Sequence, residues 1–504
     1  MEPDIKAESD VDAATMQLEP TSSAHFKKDL SWIGILAAGF NVNNSWLVIA
    51  ATLSISLSYG PMNSMWGLIV VAPIYLAISL TLAELVSAYP TAGGQYHWAH
   101  LMAPEKFKKF AGYICGFVSW TSWLAMTASS ASAPIFCVYA LVLYVDPSFT
   151  PQTWQSFLIY QASVVISVLF TLFGKKIMES YYTIGFICSV AAFFSFSVTT
   201  LVMQKQKQDS ATLWTLHTEE SGWPVGLQFL IALTAPVIAF SPMDGAVHLV
   251  DEVKNARTVV PRTILTALAI SVLTSLGFLL SMMYCVTDFE AVLASPSGFP
   301  LFEIWSQATS TSAVPIAFTS ITLFLLPVGT IACAQVASTM TWSLARDNGL
   351  VFGSHLRKIN LTLNTPIWAT LLNGCILFIV GCLYFASSLA FNSIVGVAVI
   401  FQQITTAIPT AFLVYNRRSS DVLPDDRTFK LSPVIGWTAN IVTLLFASLA
   451  VPVFLIPAVD HPSPSLMNYG IVVVAGAVTL ALVNWFTFAR TKFSGPAMIN
   501  FNYD

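Results

Sequence analysis

Apolar residues run along this chain in twelve blocks, at 32–58, 63–88, 110–143, 155–173, 181–203, 225–250, 262–286, 314–344, 366–386, 388–415, 433–457 and 468–489. The short stretches between them hold most of the charged residues. A helix needs about 20 predominantly apolar residues to cross the hydrocarbon core of a bilayer, and each block supplies that length. The blocks 366–386 and 388–415 are nearly contiguous, so their division has the least sequence to mark it. The pattern predicts an all-α integral membrane protein with twelve transmembrane helices. The transporter domain spans 31–490, between a disordered cytosolic tail at 1–30 and a short cytosolic tail at 491–504.

Charge gives an independent test, because Lys and Arg collect in cytoplasmic loops. With the N-terminus inside, the inner segments hold Lys6, Lys27, Lys28, Lys106, Lys108, Lys109, Lys175, Lys176, Lys254, Arg257, Arg262, Arg346, Arg357, Lys358, Arg417, Arg418, Arg427, Lys430, Arg490 and Lys492, which is 20 of the 22 basic residues. The outer loops keep Lys205 and Lys207, beside Asp209, Glu219 and Glu220. A miscounted helix would scramble this asymmetry. Both termini are therefore expected in the cytoplasm.

Composition agrees. The 504 residues are 55% hydrophobic and 10% charged, with a mean hydropathy of +0.70, whereas a soluble chain carries roughly a quarter charged residues. A net charge of −4 offers no basic stripe for nucleic acid. The seven cysteines sit in or beside apolar blocks without a CxxC pair, as small buried filler does. The first residues (Glu2, Asp4, Glu8, Asp10, Asp12, Glu19) are too polar for a signal peptide.

Two helices look broken. The first carries Ala37-Ala38-Gly39-Phe40-Asn41-Val42-Asn43-Asn44 near its middle, and the sixth carries Phe240-Ser241-Pro242-Met243-Asp244-Gly245. Pro242 removes a backbone donor and Asp-Gly favours a turn. If the first ten helices form two five-helix halves, these breaks occupy equivalent positions, which points to the binding site of an inverted-repeat transporter.

Three loop motifs then stand out. Glu84-Leu85-Val86-Ser87-Ala88-Tyr89-Pro90-Thr91-Ala92-Gly93-Gly94-Gln95-Tyr96 follows helix 2, Asp251-Glu252-Val253-Lys254-Asn255-Ala256-Arg257-Thr258-Val259-Val260-Pro261-Arg262 follows helix 6, and Ala345-Arg346-Asp347-Asn348-Gly349-Leu350 follows helix 8. Together they resemble the amino acid–polyamine–organocation (APC) permeases, and within them the fungal amino acid/choline transporter family that includes GABA and choline permeases. The resemblance implies a five-plus-five inverted repeat with broken helices 1 and 6, and peripheral helices 11 and 12. It also implies a substrate held between the breaks and helices 3, 8 and 10. Similar permeases often carry a Gly-Ser-Gly-like run where this chain has Ala37-Ala38-Gly39. Some place a lysine inside helix 5, where none is seen here.

Candidate residues follow from position and chemistry. Backbone N–H groups at Ala38, Gly39 and Phe40, with Asn41 beside them, are expected at a half-helix N-terminus suited to a substrate carboxylate. Asp244 is ionisable at membrane depth; it serves a substrate ammonium, a coupling proton, or the cap of the second half of helix 6. His248, four residues on, shares its face as a relay or a structural histidine. Glu84 and Glu252 are gating or proton-coupling candidates, and Asp251, Lys254 and Arg257 belong to the same inner gate. Trp46, Trp120, Trp123 and Phe240 offer aromatic faces near an acid, which suits quaternary ammonium, or act as packing. Ser241 and Gln335 are polar candidates for the cavity wall, and Ser338 and Thr339 leave a sodium site open.

Rival classes fit less well. His97 and His100 lack the HExxH arrangement of a metalloenzyme, and no P-loop GxxxxGK[ST] is present. No filter repeat suggests a channel, and the short link between helices 6 and 7 is unlike a major-facilitator transporter. No cofactor, metal or nucleic acid is expected. The chain is expected to be a secondary active permease for an amino acid or related small amine, working by alternating access as a proton symporter. Choline is the alternative substrate, and a substrate-sensing receptor on a transporter fold is the alternative class. The plasma membrane is the expected location, with the vacuolar membrane as second choice.

Overall fold

The computed structural model describes residues 30–218, 221–309, 311–464 and 466–496. Most of the expected tails, with Lys6, Lys27, Lys28 and the outer-loop Glu219 and Glu220, lies outside the described residues. Among the described residues, twelve helices are long and apolar enough to cross a membrane: Trp32–Leu57, Pro61–Ala88, Lys108–Val145, Thr153–Phe173, Lys175–Met203, Val225–His248, Ala256–Met283, Ala313–Arg346, Ile367–Phe385, Ser388–Tyr415, Pro433–Val453 and Gly470–Lys492. They are called spans 1 to 12. The expected blocks agree within a few residues at most ends. The largest differences are at the starts of spans 5 and 7, each six residues earlier than the apolar pattern marks, and span 5 begins with a 3₁₀ turn at Lys175–Ile177 before the helix Met178–Met203. One extended residue, Ser387 (φ −169°), divides spans 9 and 10, and its hydroxyl caps the second by accepting from the Ala390 N–H at 3.2 Å.

In lipid every backbone polar group must be satisfied internally, and many buried hydroxyls likewise turn back on their own helix. Thr127 donates to the Trp123 carbonyl and Thr171 to that of Ser167. Span 1 has 89% of its apolar window buried and span 12 only 11%, so span 1 is central and span 12 peripheral. Residues such as Leu273, Phe324 and Phe486 face outward, as lipid contact requires. Span 2 packs on span 7, span 3 on span 8 and span 4 on span 9. Counterparts in the two five-helix halves therefore touch, as an inverted repeat arranges them.

Both described ends lie on one face of the bundle. Leu30 N–H donates to the Glu252 carbonyl at 3.2 Å, and Ser494 N–H donates to that of Asp347 at 3.2 Å. This N-terminal face also carries the short helix Gln95–Met102. The opposite face is knitted by Tyr59 to the Ala458 carbonyl and Trp223 to the Pro457 carbonyl.

Candidate functional site

Span 1 breaks at Asn44, whose backbone (φ 24°, ψ 54°) separates helices Trp32–Asn43 and Ser45–Leu57. Positive φ is costly for most residues and is tolerated by Asn. The Asn44 Oδ1 accepts from Ser189 Oγ at 3.0 Å, and that hydroxyl accepts from Trp46 Nε1 at 2.9 Å. The break therefore lies five residues after Gly39. Ala38, Gly39 and Phe40 stand inside a continuous helix, where their N–H groups belong to the helical ladder and not to a half-helix terminus. Gly39 faces Ala246 and Thr263, which a Cβ there would meet at the ordinary contact distances of 3.5 and 3.6 Å. Asn41 donates to the Tyr182 carbonyl at 2.7 Å and keeps a buried, unpartnered Oδ1. Ser45 Oγ donates across to the Ala239 carbonyl at 2.7 Å, joining the two breaks.

Span 6 breaks as its sequence predicts. Helix Thr234–Phe240 gives way to a 3₁₀ turn at Ser241–Asp244, with Pro242 at ψ 18°, before the short helix Gly245–His248. Asp244 is fully buried, and its side chain makes no capping hydrogen bond. Its Oδ2 accepts from Gln95 Nε2 at 2.5 Å and lies 3.2 Å from His248 Nε2, while its Oδ1 is buried without a partner. The other His248 nitrogen, Nδ1, is 2.9 Å from the Ala92 carbonyl. Gly94, at φ 51° and ψ −120°, lets the loop approach: a Cβ there would meet Val247 at 2.9 Å and the His248 ring at 3.2 Å. Such backbone geometry is essentially confined to glycine.

Trp123 stands edge-on to His248, with ring centroids 5.7 Å apart and an unpartnered, buried Nε1. Phe240 leans on Tyr75 at 5.7 Å. The Tyr75 hydroxyl lies 2.9 Å from Ser241 Oγ and accepts from Gln403 Nε2 at 2.9 Å, which ties spans 2, 6 and 10 together. Asp244, His248, Trp123, Phe240 and Ser241 thus gather around one break. Two other tryptophans do not join them. Trp120 points to span 9, donating to Asn373 Oδ1 at 3.3 Å, and Trp46 packs among Phe193, Phe196 and Phe278.

Gln335 and Glu252 form a second cluster toward the N-terminal face. Glu252 pairs with Lys175 Nζ at 2.6 Å and accepts from Gln335 Nε2 at 3.2 Å; Gln335 Oε1 accepts from Tyr182 at 2.5 Å. Ser338 and Thr339 line the small pocket these residues share. The Lys175 ammonium stands among them, so the region considered for sodium already holds a fixed cation. Lysine is absent from the helix Met178–Met203 but enters from the turn before it, which the apolar pattern leaves in the loop.

The three loop motifs meet on the same face. His97 Nε2 and the Tyr96 hydroxyl each lie 2.8 Å from Asp347 Oδ2, with Thr91 on the other His97 nitrogen. Arg346 reaches Asp251 at 3.9 Å, and Arg257 reaches Asp426 at 3.0 Å. Burial pushes the His97 imidazole down and the Tyr96 phenol up, so both stay neutral against the Asp347 carboxylate. Glu84 is fully buried and clamped by Arg418 at 2.6 Å and Arg427 at 3.3 Å, with the Leu431 N–H at 3.2 Å. Sequence reasoning missed Tyr75, Gln95 and Gln403. Only Gln95 left a signal, as part of the first motif.

Comparison with known proteins follows the same lines. The family model described as amino acid permease matches residues 30–477. The chain is 30% identical over 496 residues to a choline transporter of Saccharomyces cerevisiae, covering 98% of this chain and 87% of that one. It is 27% identical to a swainsonine transporter of Arthroderma benhamiae, over 93% of this chain and 92% of the relative. A putative polyamine transporter of Candida albicans is 25% identical, over 93% and 86%. With the family match spanning nearly all described residues of a twelve-span fold broken at spans 1 and 6, the chain belongs to the amino acid permeases of the APC superfamily and is a multi-pass membrane transporter rather than an enzyme.

Proposed function

We propose that this permease carries an amino acid or related small amine, GABA-like compounds included, by proton-coupled alternating access around the breaks of spans 1 and 6. The observation that carries the reading is Asp244: a fully buried carboxylate with an unpartnered Oδ1, beside His248, whose ring packs edge-on against Trp123. A buried anion asks for a positive charge, which an amine brings. Choline is the second reading. A relative 30% identical over 98% of this chain is named a choline transporter, and Trp123 offers an aromatic face for a quaternary ammonium.

The ion pairs on the N-terminal face would then be the closed inner gate, and the basic loops support a cytoplasmic position for that face and both termini. The plasma membrane is the location consistent with uptake. The test is uptake of a radiolabelled panel of amino acids, GABA, choline and polyamines in permease-deficient yeast expressing this chain, at pH 5 and pH 7. Saturable uptake of one compound, stronger at pH 5 for a neutral substrate, is the expected result. Absence of uptake with the protein at the cell surface would overturn the reading and favour a receptor.

A further inference from the structure

The hydrogen bonds around Asp244 fix a proton count. A carbonyl oxygen only accepts, so His248 Nδ1, 2.9 Å from the Ala92 carbonyl, carries a hydrogen. Nε2 faces Asp244 Oδ2 at 3.2 Å. Were Nε2 bare and Asp244 ionised, two lone pairs would oppose each other with both groups fully buried. One proton between them removes the conflict, either as a carboxylic acid donating to imidazole or as imidazolium donating to carboxylate. It belongs to the pair and not to either residue.

Both arrangements are neutral overall, and loss of the proton leaves one uncompensated buried negative charge. The other groups facing the pair supply no replacement. Gln95 comes from the short helix after span 2, Trp123 from span 3, Tyr75 from span 2 and Cys333 from span 8. The amide and indole are uncharged, and a phenol and a thiol are neutral in their ordinary ranges near pH 7. The unpartnered Asp244 Oδ1 is where a second cation can arrive.

We propose that Asp244 and His248 accommodate one positive charge between them: a proton when the site is empty, and the ammonium of a cationic substrate when it is filled. Binding of a monocation expels the proton to water, so a cationic amine is exchanged for a proton. A zwitterion adds no net charge and leaves the proton in place, so the same proton returns on the empty site and the zwitterion crosses without net proton transfer. The substrate's own charge decides whether its transport is coupled, and the proton coupling proposed above then belongs to the cationic amines. This rests on the reading of the span 6 break as the substrate site.

Purified full-length protein in lipid nanodiscs tests it with choline and GABA as probes. In weak buffer, choline binding should release about one proton per site. Its apparent Kd should weaken about tenfold for each pH unit on acidification below the pair's titration, as linkage requires. GABA binding should release none and should not weaken. Choline binding without proton release, or equal pH slopes for the two probes, would overturn the proposal, and neither readout needs a variant. A second measurement needs no substrate: potentiometric titration between pH 5 and 9 should find one more dissociable proton in the wild type than in Asp244→Asn. Equal counts would overturn the proposal, even if the uptake panel had established the permease function. Failure of both probes to bind, with the extra proton present, would count against the substrate classes named above and leave the pair standing.

Discussion

Asp244 and Glu84 are both carboxylates without exposed surface, yet their neighbours differ in kind. Asp244 meets an amide and an imidazole and keeps one oxygen free; Glu84 meets two guanidinium groups and a backbone N–H. The first keeps an oxygen open to a cation, whereas both oxygens of the second are taken up by its clamp. Removing one partner of a buried ion pair leaves the others uncompensated, at a cost of about 3 to 5 kcal/mol. Glu84→Ala should therefore lower the thermal unfolding midpoint strongly in detergent, and an unchanged midpoint would refute the clamp. Both acids were legible in the sequence because ionisable residues are rare in apolar blocks. Their roles were not, because the deciding partners, Gln95 for one and Arg418 and Arg427 for the other, lie 149 or more residues away.

At the scale of elements, the two breaks show what a local pattern can and cannot specify. Pro242 and Gly245 bracket the span 6 break, and the chain yields there because proline cannot continue the hydrogen-bond ladder. In span 1 Gly39 stays within the helix and the turn falls on Asn44, the last of three asparagines. Helical residues tolerate a single glycine, while φ 24° at Asn44 needs a residue at ease in the left-handed region. Asn44→Gly should preserve fold and transport. Asn44→Val should strain the backbone by about 1 to 3 kcal/mol and also lose the Ser189 contact, with less folded protein recovered at a given detergent temperature. Equal recovery of the two variants would show that the break does not depend on Asn44's backbone. Ser387, a one-residue divider between spans 9 and 10, is the smallest such device. An extended residue between two apolar runs leaves almost no compositional trace.

For the whole molecule, span number and alternation were readable from apolar length and the placement of Lys and Arg. The meeting of three distant loop motifs on one face was not, since docking of loops leaves no periodicity. That face also titrates. His100, in the short helix Gln95–Met102, is buried against Gly112 and Phe493; burial first, and Lys108 second, pushes its imidazole down to about 4. An unfolded histidine titrates near 6.5. Below that pH the unfolded chain takes up a proton that the folded site refuses, so this stabilisation is complete above pH 6.5 and is lost as pH falls toward 4. The unfolding midpoint should drop between pH 7 and pH 4.5, and His100→Gln should flatten the drop. Parallel pH profiles would exclude His100 as the cause.

The Glu84 clamp also sets a schedule for biogenesis. Glu84 and Arg418 are 334 residues apart, and at synthesis rates of about 5 to 20 residues per second the acid waits roughly 15 to 70 s for its partner. During that interval a nascent span with an unpaired acid near its end is already leaving the translocon. Either water at the membrane surface or an assisting protein must shelter it, and the last spans to be made complete the oldest part of the bundle.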